Sequence, residues 1–217
     1  QVSYRSSAAI LGIAFIQNIY GNSGMGPLMI IGAVPLYNIF AVTILTLESN
    51  DSNTRQDKGR IRKTFINILK NPIIIGIALG MAASLINLKL PQMVEKSIQN
   101  LGVMASPLAL IAIGAGFEGR KALAKIRPSV IASFIKLIGL AAVFLPVAVW
   151  MGFRDQELLA LIIMLASPST PTAYIMAKNM HGDDVLSSSV IVITTLFSSV
   201  TLTAWIFLMR YLGYIAG

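Results

Sequence analysis

The sequence predicts an all-α membrane protein with seven transmembrane segments, and its composition and charge distribution both favour this class. Apolar residues make up 55% of the 217 positions and charged residues only 12%, which leaves too little polar surface to cover a water-soluble globule of this size. Charge-free runs remain between the clustered charges, and most match the roughly 20 residues that a helix needs to cross the hydrocarbon core. These runs cover residues 6–47, 71–88, 97–117, 137–153, 158–177 and 185–209.

The first run is long enough for two segments, because the turn-forming sequence Gly21-Asn22-Ser23-Gly24 divides it. Segment one, residues 6–20, is only weakly hydrophobic and carries Gly12 and Asn18, so we expect it to be buried among other helices. Segment two, residues 25–47, contains Asn38 and precedes a polar linker.

Segments three and four, residues 72–88 and 97–117, are separated by a short connection and are typical of a helical hairpin. Segment five, residues 128–152, opens with Pro128, which suits a first helical turn because its missing N–H needs no partner there. Lys136 lies two turns inside this segment.

Segment six, residues 156–181, contains Pro168 and Pro171 near its middle. Each proline removes an N–H and clashes with a carbonyl one turn back, so the sequence predicts an interrupted helix. Segment seven, residues 184–213, follows Gly182, and Asp183 and Asp184 are placed to cap its first N–H groups.

The basic residues predict the orientation of the chain, since Lys and Arg concentrate in cytoplasmic loops. Most of them fall on one side if the segments alternate, in the loops after segments two and four together with Arg5 and Lys178. Residue 1 and the loop 48–71 are therefore predicted to be cytoplasmic, and the C-terminus lies on the other side of the cytoplasmic membrane. The net charge of +8 then reflects topology, and we expect no nucleic-acid partner.

Several kinds of site are absent from the sequence. It contains no cysteine, which excludes disulfides and thiolate metal sites. It also contains no paired intramembrane carboxylates, no His cluster, no nucleophile elbow and no Gly-rich phosphate loop. We therefore expect neither an enzyme nor a bound cofactor or metal.

The interruption in segment six predicts an anion site. Backbone groups left unpaired in hydrocarbon cost several kcal/mol each, so an interrupted span needs partners from protein, water or ligand. With Thr170 as the N-cap and Pro171 as the first helical residue, the N–H groups of Thr172, Ala173 and Tyr174 would face mid-membrane and suit a carboxylate. The alternative is a proline kink that only shapes packing.

Other polar residues leave two interpretations open. Lys136 is either a functional intramembrane charge or a side chain that reaches back to the interface. Asn18 and Asn38 either bind substrate or join helices, and Tyr174 either lines the site or fills space. The predicted substrate-binding residues are Gly12, Asn18, Asn38, Ser167, Pro168, Ser169, Thr170, Pro171, Thr172 and Tyr174.

Short motifs in a fixed order also resemble a known family. They are Leu36-Tyr37-Asn38, Lys70-Asn71-Pro72, Pro107-Leu108-Ala109-Leu110 with Ile113-Gly114, Ser167-Pro168, Tyr174-Ile175-Met176-Ala177, Gly182-Asp183 and Thr194-Thr195-Leu196-Phe197-Ser198. Their order and spacing resemble the auxin efflux carrier family, which includes bacterial malate and malonate permeases and plant auxin exporters.

The resemblance implies a ten-helix protein of two inverted repeats, in which two broken helices cross at the substrate site. Segments one and six would be those two, and three N-terminal helices of the family pattern would precede Gln1. Relatives typically carry an Asn near the start of the first broken helix and a Pro at its break, where this chain has Ser7 and Ala14.

The family pattern also implies a division of the chain. Residues 1–47 and 128–217, including the break at 167–171, would form a transport domain, and 72–117 a scaffold and possible homodimer hairpin. The cytoplasmic loops would be 48–71 and 118–127.

Two functions follow as hypotheses. The leading one is a secondary transporter of small organic anions such as dicarboxylates, and the alternative is a non-transporting membrane sensor or truncated assembly module. The coupling ion, H+ or Na+, is not indicated, because no acidic residue lies deep in any segment.

Overall fold

The fold is entirely helical in the part of the chain that the structure describes. This computed structural model describes residues 1–8, 13–22, 24–48, 66, 69, 72–180 and 182–216. Gly12 and nearly all of the predicted loop 48–71 lie outside the described residues. The helical elements are α1 (Ile13–Tyr20), α2 (Gly26–Glu48), α3 (Pro72–Leu85), α4 (Gln92–Ala115), α5 (Gly119–Ala124), α6 (Ile126–Phe134), a π-helical turn (Ile135–Gly139), α7 (Leu140–Trp150), α8 (Asp155–Ala166), α9 (Pro171–Asn179) and α10 (Asp184–Tyr211).

The lengths of these helices confirm the predicted class of all-α membrane protein. Four stretches are long and apolar enough to span a bilayer: Gly26–Leu45, Gln92–Ala115, Ile126–Trp150 and Asp184–Tyr211. The bent pair of α8 and α9 would be a fifth if it forms one span. Segments one and three correspond to α1 and to the shorter apolar α3, and their crossing of the membrane stays a prediction.

The main core lies among α7, α8 and α10. Leu158 and Ile162 of α8 are fully buried, as is Leu145 of α7, and Leu202 of α10 packs in the same cluster. Ile16 brings α1 to this core. Many other large apolar side chains remain exposed on the outer faces, which suits helices whose surroundings are hydrocarbon.

The two helices of residues 72–117 pack less closely on each other than the predicted helical hairpin would. The main contacts of α3 are with α2, and those of α4 are with α9. Both helices expose most of their apolar side chains. The connection between them, residues 86–91, joins two helices that pack mainly on other elements.

Segment five contains a local irregularity that the sequence did not predict. Its helix begins at Ile126, so that Pro128 falls within the first turn, where a missing N–H is tolerated. The π-helical turn at Ile135–Gly139 then interrupts the α-helix and contains Lys136. Such turns are often found at functional sites.

Candidate functional site

The chain leaves helical geometry where the two prolines of segment six predict it. Helix α8 ends at Ala166, and Ser167 is extended, with φ −72° and ψ 160°. Pro168 explains this geometry, because a proline disfavours the helical region for the residue before it. Thr170 is also extended, and Pro171 starts α9, where its fixed φ suits the first turn. The axes of α8 and α9 differ by 41°. We call residues 167–170 the break.

Buried hydroxyl groups line this break. Ser167 and Ser169 are almost completely buried, and neither Oγ atom has a hydrogen-bond partner among the described residues. The backbone N–H of Ser169 donates to Thr194 Oγ1 at 3.1 Å, so α10 holds the chain at this point. Buried polar atoms normally have partners, so these two hydroxyls beside a helix N-terminus make the break a candidate ligand site.

The N-terminus of α9 differs in detail from the prediction. Thr170 occupies the N-cap position, but its side chain makes no capping bond. Its hydroxyl instead lies 3.1 Å from the hydroxyl of Thr172. The N–H of Ala173 is not free, since it donates to the Thr170 carbonyl at 2.9 Å. Fewer donors face the break than the sequence predicted.

A second non-helical segment meets the break at residues 5–7, which we call the N-terminal strap. The Ser7 N–H donates to the Pro168 carbonyl at 2.9 Å. Ala14, the position compared with the proline of relatives, is the second residue of α1, and residues 9–12 just before this helix are not described. Gly12, also expected at this position, is among the residues that are not described.

Arg5 lies in the strap and is buried, although the sequence analysis counted it among the charges of the cytoplasmic face. The residue is only 3% exposed. Its Nη2 donates to Asn38 Oδ1 at 2.9 Å, and its Nη1 to Met176 Sδ at 2.8 Å. Because Asn38 is near the middle of the 23-residue α2, the guanidinium lies at the depth of a helix centre. Sequence reasoning missed it by counting it with the loop charges.

Lys136 is fully buried and does not reach back to the interface, so that interpretation was wrong. Its Nζ donates to the carbonyl oxygens of Met164 at 3.2 Å and Leu165 at 3.0 Å, and also to Ser6 Oγ. Both carbonyls belong to the last turn of α8, where backbone oxygens lack helical partners and the helix dipole favours a cation. Lys136 therefore caps α8 at the break.

The other predicted site residues are distributed unevenly. Asn38 is buried, and its Oδ1 holds Arg5 while its amide nitrogen donates to the Val34 carbonyl at 2.9 Å. Tyr174 packs with Ile113 and Ile191. A Cβ at Gly116 would lie 3.0 Å from the Tyr174 hydroxyl, which places this ring against the end of α4. Asn18 is exposed on α1, and no described contact brings it to the break.

A comparison with known protein families identifies the family of this chain. A family model described as membrane transport protein matches residues 2–206, which includes the strap, the break and both flanking helices. The chain belongs to this family. It is the family of auxin efflux carrier-like proteins that the sequence motifs resemble, and its members are transporters rather than enzymes. No curated protein sequence matches the chain.

Proposed function

We propose that this membrane transport protein is a secondary transporter of small organic anions, dicarboxylates among them. The observation that carries the proposal is the pair of unpartnered, buried hydroxyls of Ser167 and Ser169 immediately before the N-terminus of α9. A helix N-terminus offers backbone donors and about half a positive charge. Hydroxyls beside it add donors with directional preference for carboxylate oxygens.

In this proposal α8 and α9 form one interrupted membrane span that crosses the strap. The hydrogen bond between Ser7 and Pro168 supports the crossing, because it ties the irregular backbone of one segment to that of the other. Interrupted helices of this kind form substrate sites near the bilayer midplane in many transporters. Thr172, near the start of α9, would contribute to the same site.

We further propose that the protein lies in the cytoplasmic membrane with the loop 48–71 on the cytoplasmic side and the C-terminus opposite. The clustering of Lys and Arg in the loops supports this orientation. Residues 72–117 would form the scaffold, and a homodimer would form through them. The exposed apolar faces of α3 and α4 are compatible with lipid or a partner subunit there.

Ligand-dependent thermal stability of the purified protein tests the proposed site. Malonate, malate and succinate are compared with malonamide, which is neutral. A ligand at 100 times its Kd stabilises a protein by about 2.7 kcal/mol, so we expect a rise in Tm with the carboxylates that the Pro168→Ala, Pro171→Ala variant loses.

The Pro146→Ala variant is the matched control, since Pro146 lies inside α7 and outside the break. It is expected to keep the response to carboxylates. Equal stabilisation of the wild type and the double variant would show that the break is not the site. No stabilisation of the wild type by any carboxylate would contradict the proposed function.

A further inference from the structure

Arg5 has an unusual environment for a buried cation. Its guanidinium has two contacts, with Asn38 Oδ1 and Met176 Sδ, and its Nε is buried without a hydrogen-bond partner among the described residues. The ion pairs of the described chain join Lys121 to Glu118 and Lys125 to Asp183, so no carboxylate of this part of the chain pairs with Arg5. The positive charge is permanent, because arginine does not deprotonate in proteins.

An uncompensated buried charge is costly, and a hydrogen-bonded opposite charge can offset part of that cost. The desolvation penalty of a buried ion amounts to several kcal/mol. Asn38 and Met176 supply a polar and a polarisable contact but no negative charge. A bound anion would complete the environment of the guanidinium, and this requirement is independent of the hydroxyl groups at the break.

The position of Arg5 places it beside the proposed anion site. Met176 lies five residues beyond Pro171, about 7.5 Å along the axis of α9, and long helical side chains lean toward the N-terminus. The strap is fixed to the break by the bond between Ser7 and Pro168. The guanidinium is therefore held between α2 and the first turns of α9.

Lys136, the other buried cation near the break, has no spare donor. An ammonium group has three protons, and three acceptors receive them: Ser6 Oγ and the carbonyls of Met164 and Leu165. A guanidinium has five N–H donors, of which two are used by the described contacts. Arg5 therefore keeps its Nε–H and further Nη protons for a ligand.

We propose that Arg5 is the charge-selecting residue of the transport site and binds a carboxylate group of the substrate through Nε and one Nη. This inference rests on the proposed function. Two parallel N–H bonds to a carboxylate combine charge with a fixed geometry. Asn38 and Met176 position the guanidinium, so Asn38 acts on the substrate through Arg5.

Binding by Arg5→Gln protein tests this inference, with malonate and malonamide as the probes. Truncating one partner of a buried, hydrogen-bonded charge pair has a large effect, so we expect malonate affinity to fall at least about 30-fold while malonamide binding changes little. The matched control is Arg127→Gln, which removes a guanidinium from an exposed position on α6. It should bind both probes as the wild type does.

An Arg5→Gln protein that keeps the wild-type preference for malonate over malonamide would overturn the inference and leave the transport proposal intact. If the wild type itself binds no carboxylate, the proposed function fails. If the Arg5→Gln protein does not fold, Arg5→Lys replaces it in the binding test, because lysine keeps the positive charge but lacks the planar guanidinium group. We expect it to bind malonate about tenfold more weakly, and unchanged affinity would overturn the inference.

Discussion

At the scale of single residues, the structure gives different roles to two buried cations that look alike in the sequence. Lys136 has an acceptor for each of its protons and completes the C-terminus of α8. Arg5 has fewer contacts than donors and faces the first turns of α9. One cation stabilises the interrupted backbone, and the other remains available to an anion.

The capping role predicts that Lys136→Met lowers stability. The substitution removes a donor from the Met164 and Leu165 carbonyls and from the Ser6 hydroxyl. The Met164 carbonyl still accepts from Ser6 Oγ, but the Leu165 carbonyl loses its described side-chain donor, and an unsatisfied buried acceptor costs about 1–3 kcal/mol. The thermal unfolding midpoint in detergent should fall clearly below that of the wild type. Leu137→Met is the matched control, because the neighbouring buried side chain changes shape at nearly constant volume, which usually costs under about 1.5 kcal/mol. A Lys136→Met protein as stable as this control would refute the capping role.

These residue roles were only partly predictable from the sequence. The sequence placed Lys136 inside a predicted membrane segment. Its short distance from Pro128 was also compatible with a side chain that reaches back to the membrane interface. What decides between the two is that α8 ends beside Lys136, and this proximity cannot be read from the sequence around Lys136. Arg5 was counted with the loop charges because it precedes the first apolar run, and its burial depends on the packing of the strap against α2 and α9.

At the scale of elements, the break at Pro168 and Pro171 was predictable and the other irregularities were not. Pro168 and Pro171 fix the end of α8 and the start of α9, since proline acts through local sterics. The strap at residues 5–7 and the π-helical turn at Ile135–Gly139 contain no proline. Their geometry depends on tertiary contacts, such as the bond from Ser7 to Pro168.

The start of α10 was also predictable, and Asp183, just outside the candidate membrane spans, is a pH-dependent element there. Asp183 caps the helix by accepting from the Leu186 N–H at 2.9 Å and forms an ion pair with Lys125. Partial burial would raise the pKa of the Asp183 carboxyl, but the hydrogen bonds from Lys125 and Leu186, with the charge of Lys125, lower it below 3.8. The carboxylate therefore links α10 to the loop before α6.

This lowered pKa predicts a loss of stability in acid. The native carboxylate binds a proton less readily than the unfolded one, so its contribution is complete above about pH 3.8 and is lost as the pH falls through the native pKa. Thermal unfolding between pH 6 and pH 3 should show a smaller acid sensitivity in Asp183→Asn, which keeps a capping side chain without the charge. Asp184→Asn, the neighbouring substitution, should retain the wild-type profile. Identical profiles for Asp183→Asn and the wild type would exclude the ion pair as the source.

At the scale of the whole molecule, the fold brings the irregular backbone of two segments together in the interior of a helical membrane protein. The strap, the break and the π-helical turn that contains Lys136 converge, while most apolar side chains of α3 and α4 face outward. Clustered charges and helix length were enough to predict the class, because both follow from the thickness and polarity of the bilayer. The position of the crossing depended on packing between distant parts of the chain.

Counterflow in proteoliposomes tests whether the protein transports dicarboxylates through the break. Vesicles loaded with unlabelled malonate and containing the protein are diluted into labelled malonate, beside protein-free vesicles and vesicles with the Pro168→Ala, Pro171→Ala variant. We expect transient accumulation of label in the wild-type vesicles alone, with competition by external malate and none by malonamide. Wild-type vesicles that accumulate no label with malonate, malate or succinate as the loaded and labelled anion would contradict this expectation.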